Sequence, residues 1–161
     1  MFKYKVNYFL GFIFLVSISS IVSAFYIENV LGHQPCKLCL IERIPYILSV
    51  IIIIMNYFFE KNEKLSLILL IIIFFISLII AIYHFGIEQG FFIENSVCNL
   101  NSNTITQSKE ELLKILQQRN ISCKDVTFRI FGLSLTTINI VISLLFIITL
   151  TKIYTKYEKK K

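Results

Sequence analysis

Four stretches of this chain are apolar at nearly every position, and the polar residues gather between them. The first runs from Tyr8 to Ile27, 20 residues without a charge, and the second is cleanest from Pro45 to Phe59, 15 residues. The second reaches a crossing length only if it begins near Leu40 and carries Glu42 and Arg43 at its end. The third runs from Leu65 to Tyr83 and the fourth from Ile130 to Leu150. Each approaches the ~20 residues that cover ~30 Å of hydrocarbon at 1.5 Å per residue. None alternates as a barrel strand would, so all four read as helices, whose backbone polar groups are satisfied internally. The pattern predicts an all-α polytopic membrane protein. It is a single membrane domain over residues 1–161, a four-transmembrane-helix bundle with spans at about 8–27, 40–59, 65–83 and 130–150. Two loops, at about 28–39 and 84–129, then lie on one side.

Composition agrees. The 161 residues are 56% hydrophobic, above the roughly 45–50% of a soluble domain. The net charge of +6 is concentrated in short stretches, with no aromatic platform interleaved among basic residues, so the lipid bilayer is the expected partner and nucleic acid is not. Putting both termini in the cytoplasm places nine Lys and Arg residues inside and seven outside. The inside ones sit in short tails and one short turn, where the positive-inside rule applies most strongly. The first span also resembles a secretory signal, with Val22-Ser23-Ala24 as small residues at its end, but it is longer than a usual signal core.

With that orientation all four cysteines fall in the outside loops. Cys36 and Cys39 lie in the first, Cys98 and Cys123 in the second. An even number of cysteines in an oxidising compartment reads as disulfides, and the most economical pairing is one bridge per loop. A Cys98–Cys123 bridge encloses 24 residues and would stabilise by roughly 3–4 kcal/mol in the chain-entropy model. Cys36-Lys37-Leu38-Cys39 closes almost nothing. At a helix start it is instead a redox arrangement, because the helix N-terminus favours the thiolate and the neighbouring thiol is a ready exchange partner. Lys37 adds positive charge between the two sulfurs. The alternative, half a zinc site, lacks a second C-x2-4-C pair, and no metal is expected.

Arg43 follows Cys39 by four residues and shares its helix face. A guanidinium there can stabilise the Cys39 thiolate or donate hydrogen bonds to a ring carbonyl. The plainer reading is interfacial anchoring, with Glu42 as its ion-pair partner.

The stretch P-C-K-L-C-L-I-E-R-I-P-Y (35–46), Cys98 and Cys123 in the second outside loop, and F-R-I-F-G-L-S-L (128–135) before the fourth span resemble the disulfide bond formation protein B family of the bacterial inner membrane. Y-H-F-G-I-E-Q-G (83–90) resembles one branch of it, and the likeness covers essentially the whole chain. It implies a thiol:quinone oxidoreductase with Cys36, Cys39, Cys98 and Cys123 catalytic and periplasmic. It also implies ubiquinone or menaquinone as cofactor, and a DsbA-like periplasmic thiol oxidant as partner. In that scheme a partner thiolate attacks Cys98, Cys123 is released and attacks Cys36, and Cys39 becomes the free thiolate beside the quinone while Arg43 holds the ring. One departure is the absence of tryptophan, with Phe128 standing where relatives often carry such an aromatic.

His84, at the outer end of the third span, is a second candidate for quinone binding, against the plainer reading of a solvated interfacial histidine. His33 lies close enough in sequence to tune the cysteine pair. Ser108 and Glu111 form a capping-box pattern ahead of Leu112, Ile115 and Leu116, which predicts a short amphipathic helix on the outer leaflet. Asn120-Ile121-Ser122 matches a glycosylation sequon and is read as chance. Two other functions compete. A non-enzymatic scaffold would carry two static disulfides. A vitamin K epoxide reductase-like enzyme would carry its C-x-x-C in a terminal span, whereas here the motif follows the first.

Overall fold

The structure is a computed structural model and describes residues 2–58, 63–93, 123, 129–130 and 132–159, with side chains excepted at 2–5, 129, 130 and 157. Cys98, Phe128, the expected amphipathic helix at 108–116 and the sequon at 120–122 lie outside the described residues.

Helix α1 spans Phe2–Asn29, and a short α2, Lys37–Ile41, leads into α3, Arg43–Phe58. Helix α4 spans Glu63–Glu88 and α5 spans Leu135–Glu158. Between them β1, Arg129–Ile130, pairs antiparallel with β2, Leu133–Ser134, the only strand pairing among the described residues. Among the described residues, four helical stretches are long and apolar enough to cross a membrane: Val6–Asn29, Lys37–Phe58, Glu63–Glu88 and Leu135–Lys156. The protein is an all-α, multi-pass membrane protein.

The second stretch breaks at Glu42 because a proline stands just beyond it. Pro45 occupies the first turn of α3, where a missing N–H is tolerated. Continuing α2 straight through would place that proline where its ring opposes the carbonyl of Ile41. The Glu42 side chain points into the bundle, where it meets His84 and Asn139.

Helix α4 runs five residues past the apolar stretch that ends at Tyr83. It stops at a glycine-terminated cap: Gly90 has φ 78°, its N–H donates to Ile87 O at 3.0 Å, and Phe91 N–H donates to Gly86 O at 2.8 Å. This is the paired 5→2 and 6→1 closure that a left-handed residue allows. Phe92 then folds back to stack on Tyr83 with ring centroids 5.6 Å apart, over Gly86, where a Cβ would collide with the Phe92 ring.

The core runs along the bundle axis. Ile13 of α1, Leu67, Leu70 and Phe74 of α4, and Phe146 and Leu150 of α5 are buried in one cluster with Tyr46 and Ile53 of α3. Phe74 meets Phe146 edge-on at 4.9 Å and Tyr46 at 6.1 Å. Small hydroxyls let the backbones approach: Ser17 bonds Ser49 at 2.9 Å, and Ser143 donates to Ser77 at 3.4 Å. Such bonds between helices contribute about 0.6 kcal/mol each on average. Outward positions such as Ile51, Ile72, Phe75 and Leu145 remain exposed, as lipid-facing side chains are.

The helices alternate in direction. Arg43 bonds Glu28, His84 bonds Glu42, and Thr136 bonds Glu88, so the C-terminal ends of α1 and α4 meet the starts of α3 and α5 at one end. At the other end Lys64 pairs with Glu158 at 3.2 Å.

Candidate functional site

Cys36 caps α2. Its backbone is extended, at φ −68° and ψ 167°, and its sulfur accepts the N–H of Cys39 at 3.2 Å. Pro35 before it fixes the approach of the chain. Cys36 and Cys39 form a disulfide with Cα atoms 5.2 Å apart. Cys123 is also disulfide-bonded, and it is buried in a cluster with Cys36, Leu38 and Ile87, against which Cys39 and Tyr83 pack. The two cysteine-bearing loops are therefore in contact. Some 84 positions separate Cys39 from Cys123, and sequence spacing carries no signal for that contact.

His84 is the side chain that the structure places most differently from a solvated interface residue. It is 2% exposed. Its Nε2 lies 3.5 Å from Cys36 Sγ, and its Nδ1 lies 2.8 Å from Glu42 Oε1. The other Glu42 oxygen accepts from Asn139 Nδ2 at 3.0 Å, and Asn139 Oδ1 accepts from Tyr46 at 2.6 Å. Thr136 Oγ1 is 3.3 Å from His84 Nδ1 and donates to Glu88 Oε1 at 2.7 Å. A line of polar groups thus runs from the sulfur of Cys36 through three helices into the bundle. With Nδ1–H donated to a carboxylate, a neutral imidazole carries its lone pair on Nε2, toward the sulfur. That is the geometry of a base held in one tautomer by an acidic partner.

Arg43 does not pair with Glu42, contrary to the plainer sequence reading. Its guanidinium donates to Glu28 Oε2 at 2.8 Å and sits 5.5 Å from the centre of the Phe25 ring. The Glu42 carboxylate is taken up by His84 and Asn139, and Arg43 pairs with the end of α1.

Most of these side chains line a cavity of about 320 Å³, at the lower end of the ~300–1,000 Å³ typical of small-molecule sites. Its walls include Ser20, Ile27, Ile138 and Ile142 as well as Cys36, Cys39, His84, Arg43, Glu88 and Cys123, and His33 is among them. The second oxygen of Glu88 is buried in this wall without a partner among the described residues. A mostly apolar pocket with a guanidinium and an imidazole in its wall suits a flat ring that carries polar oxygens, and so fits a quinone head.

Sequence reasoning does not single out Asn139, Thr136 or Glu88, and it treats Glu42 only as a neighbour of Arg43. A signal exists for Asn139. An amide inside an apolar span is costly unless it has a partner, so it marks a site in its own right.

The model of the family described as Disulfide bond formation protein DsbB matches residues 7–153. Among curated proteins, the Uncharacterized protein RP370 of Rickettsia prowazekii (strain Madrid E) is 28% identical over 138 residues, covering 84% of this chain and 80% of that protein.

Proposed function

The chain belongs to the disulfide bond formation protein DsbB family, and from that membership we propose that it is an inner-membrane thiol:quinone oxidoreductase that reoxidises a periplasmic DsbA-like thioredoxin-fold protein. Its part in disulfide bond formation follows from the family. The quinone, the partner and the sidedness are our reading. The observation that carries it is the packing of Cys123 against the Cys36–Cys39 pair at the wall of a cavity between the helices.

The proposed route uses ordinary thiol exchange. A thiolate of the reduced partner attacks Cys98, forming a mixed disulfide and releasing Cys123 as a thiolate. Cys123 attacks Cys36, and Cys39 leaves as a thiolate, favoured by the helix start and by Lys37. The second partner thiol attacks its own mixed disulfide, so the partner departs oxidised and Cys98 is a thiol. Cys98 then attacks Cys123, restoring that bridge and returning Cys36 to the thiol form. The net result is one disulfide gained by the partner and a dithiol at Cys36 and Cys39. His84 Nε2 takes the proton of the Cys36 thiol, and Glu42 holds the imidazole in place. General acid–base help of this kind contributes about 10²–10⁴-fold. Arg43 and His84 would hold the ring oxygens, and Glu88 faces the same space. When bound, ubiquinone or menaquinone would supply the oxidising power for re-forming Cys36–Cys39, as a two-electron, two-proton acceptor. Both termini then lie in the cytoplasm and the cysteines in the periplasm, in keeping with the distribution of lysines.

The test mixes purified protein, a quinone and a reduced thioredoxin-fold protein, and follows quinone absorbance. Stoichiometric loss of the quinone band is expected, and Cys98→Ser should fail to trap the partner as a mixed disulfide. If both bridges resist the reduced partner and the quinone band does not change, the protein is a scaffold with static disulfides.

A further inference from the structure

In the sequence the C-x-x-C motif has no second pair of suitable spacing, which argues against zinc. The fold supplies a third ligand from elsewhere. The sulfurs of Cys36 and Cys39 and a ring nitrogen of His84 all lie within 4.8 Å of one another. In a tetrahedral zinc site, Zn–S of ~2.3 Å and Zn–N of ~2.0–2.1 Å put nitrogen and sulfur roughly 3.6 Å apart. Here Cys36 Sγ and His84 Nε2 are 3.5 Å apart.

The surroundings favour a metal ligand as well. Nδ1 of His84 lies 2.8 Å from Glu42 Oε1, and Glu42 is itself held by Asn139. A carboxylate behind a histidine fixes the ring and raises its basicity, the arrangement usual behind metal-bound imidazole. The Cys39 N–H already points at Cys36 Sγ, which favours sulfur as a thiolate. All three ligand residues line the cavity, so a fourth position is open to it.

We propose that the protein, once its Cys36–Cys39 disulfide is reduced, binds one zinc ion through Cys36, Cys39 and His84, with Glu42 positioning the histidine. The site is gated by redox state. In the disulfide the two sulfurs are bonded to each other and offer no thiolates. Two electrons from a dithiol reductant cleave that bond, and zinc then displaces the two thiol protons. Binding does not depend on the proposed quinone chemistry. Its consequence does: a zinc ion on both sulfurs blocks their reoxidation, so the metal would act as an inhibitor of the reduced enzyme.

The experiment uses the full chain in detergent micelles, reduced with a phosphine that is then removed, and titrated with cobalt as a spectroscopic stand-in for zinc. One cobalt per reduced chain is expected, with thiolate-to-cobalt absorption that zinc abolishes and that the oxidised protein never gives. The double variant Cys98→Ser, Cys123→Ser should keep the signal. His84→Ala should weaken binding at least tenfold, and Glu42→Gln about 10–100-fold, as supporting partners of metal ligands typically do. Circular dichroism of each variant checks that it is folded. His84→Gln serves if the alanine variant is not. The proposal is overturned if the reduced protein gives no thiolate-to-cobalt absorption, if folded His84 variants bind as tightly as the parent, or if the double cysteine variant loses the signal. Because no quinone is present, this result is independent of the activity assay.

Discussion

His84 Nδ1 lies 2.8 Å from Glu42 Oε1, which joins the last turn of α4 to the break between α2 and α3. This contact directs the other ring nitrogen at Cys36, 48 positions earlier in the chain. It also turns Glu42 away from its sequence neighbour Arg43. The site's chemistry depends on that one rearrangement.

If His84 acts as the base for Cys36, its loss should slow the thiol step without removing the cysteines. In His84→Ala, alkylation of Cys36 in the reduced protein should fall at least tenfold near neutral pH, while alkylation of Cys39, which has no such contact with the imidazole, should change less. Rapid-quench alkylation with mass spectrometry measures both. An unchanged rate at Cys36 would remove His84 from this role.

Asn139→Leu should destabilise the bundle by about 1–3 kcal/mol, because it leaves Glu42 Oε2 buried without its amide donor and removes the Tyr46 hydroxyl's acceptor. Thermal unfolding in detergent reads the loss. The double change Asn139→Leu, Tyr46→Phe should be less than additive, since both residues belong to one hydrogen-bonded chain.

At the end of α4, Gly86→Ala should cost about 1–3 kcal/mol, the usual range for overpacking, because the added Cβ meets the Phe92 ring. Phe92→Ala alone gives up the stacking on Tyr83. Together the two should be milder than their sum. Strict additivity in thermal unfolding would mean that the contact is unimportant.

Cys39→Ser should reduce quinone turnover to background, since without the Cys36–Cys39 disulfide the Cys123 thiolate has no bond to attack. In the parent protein, acid quenching during turnover and then peptide mapping should recover a Cys36–Cys123 bridge. Failure to find that bridge at any time point would break the proposed electron route.

Much of this protein is legible in one dimension. Four apolar runs of crossing length specify a helical membrane bundle, because hydrocarbon leaves a backbone few other ways to satisfy its polar groups. Cys36 and Cys39 announce their chemistry by spacing alone, since two intervening residues at a helix start bring the sulfurs together locally. The ends of the spans are less legible. Hydropathy places the end of the third span at Tyr83, just before His84, yet α4 continues to Glu88 because His84 and Glu88 find partners inside the bundle. The partnerships themselves are decided only in three dimensions. Whether Glu42 faces Arg43 or His84, and whether Asn139 is a stray amide or a support for the site, depends on how α3, α4 and α5 rotate against one another. That rotation is set by packing around Phe74 and Phe146, contacts too distant in sequence for any local pattern to encode.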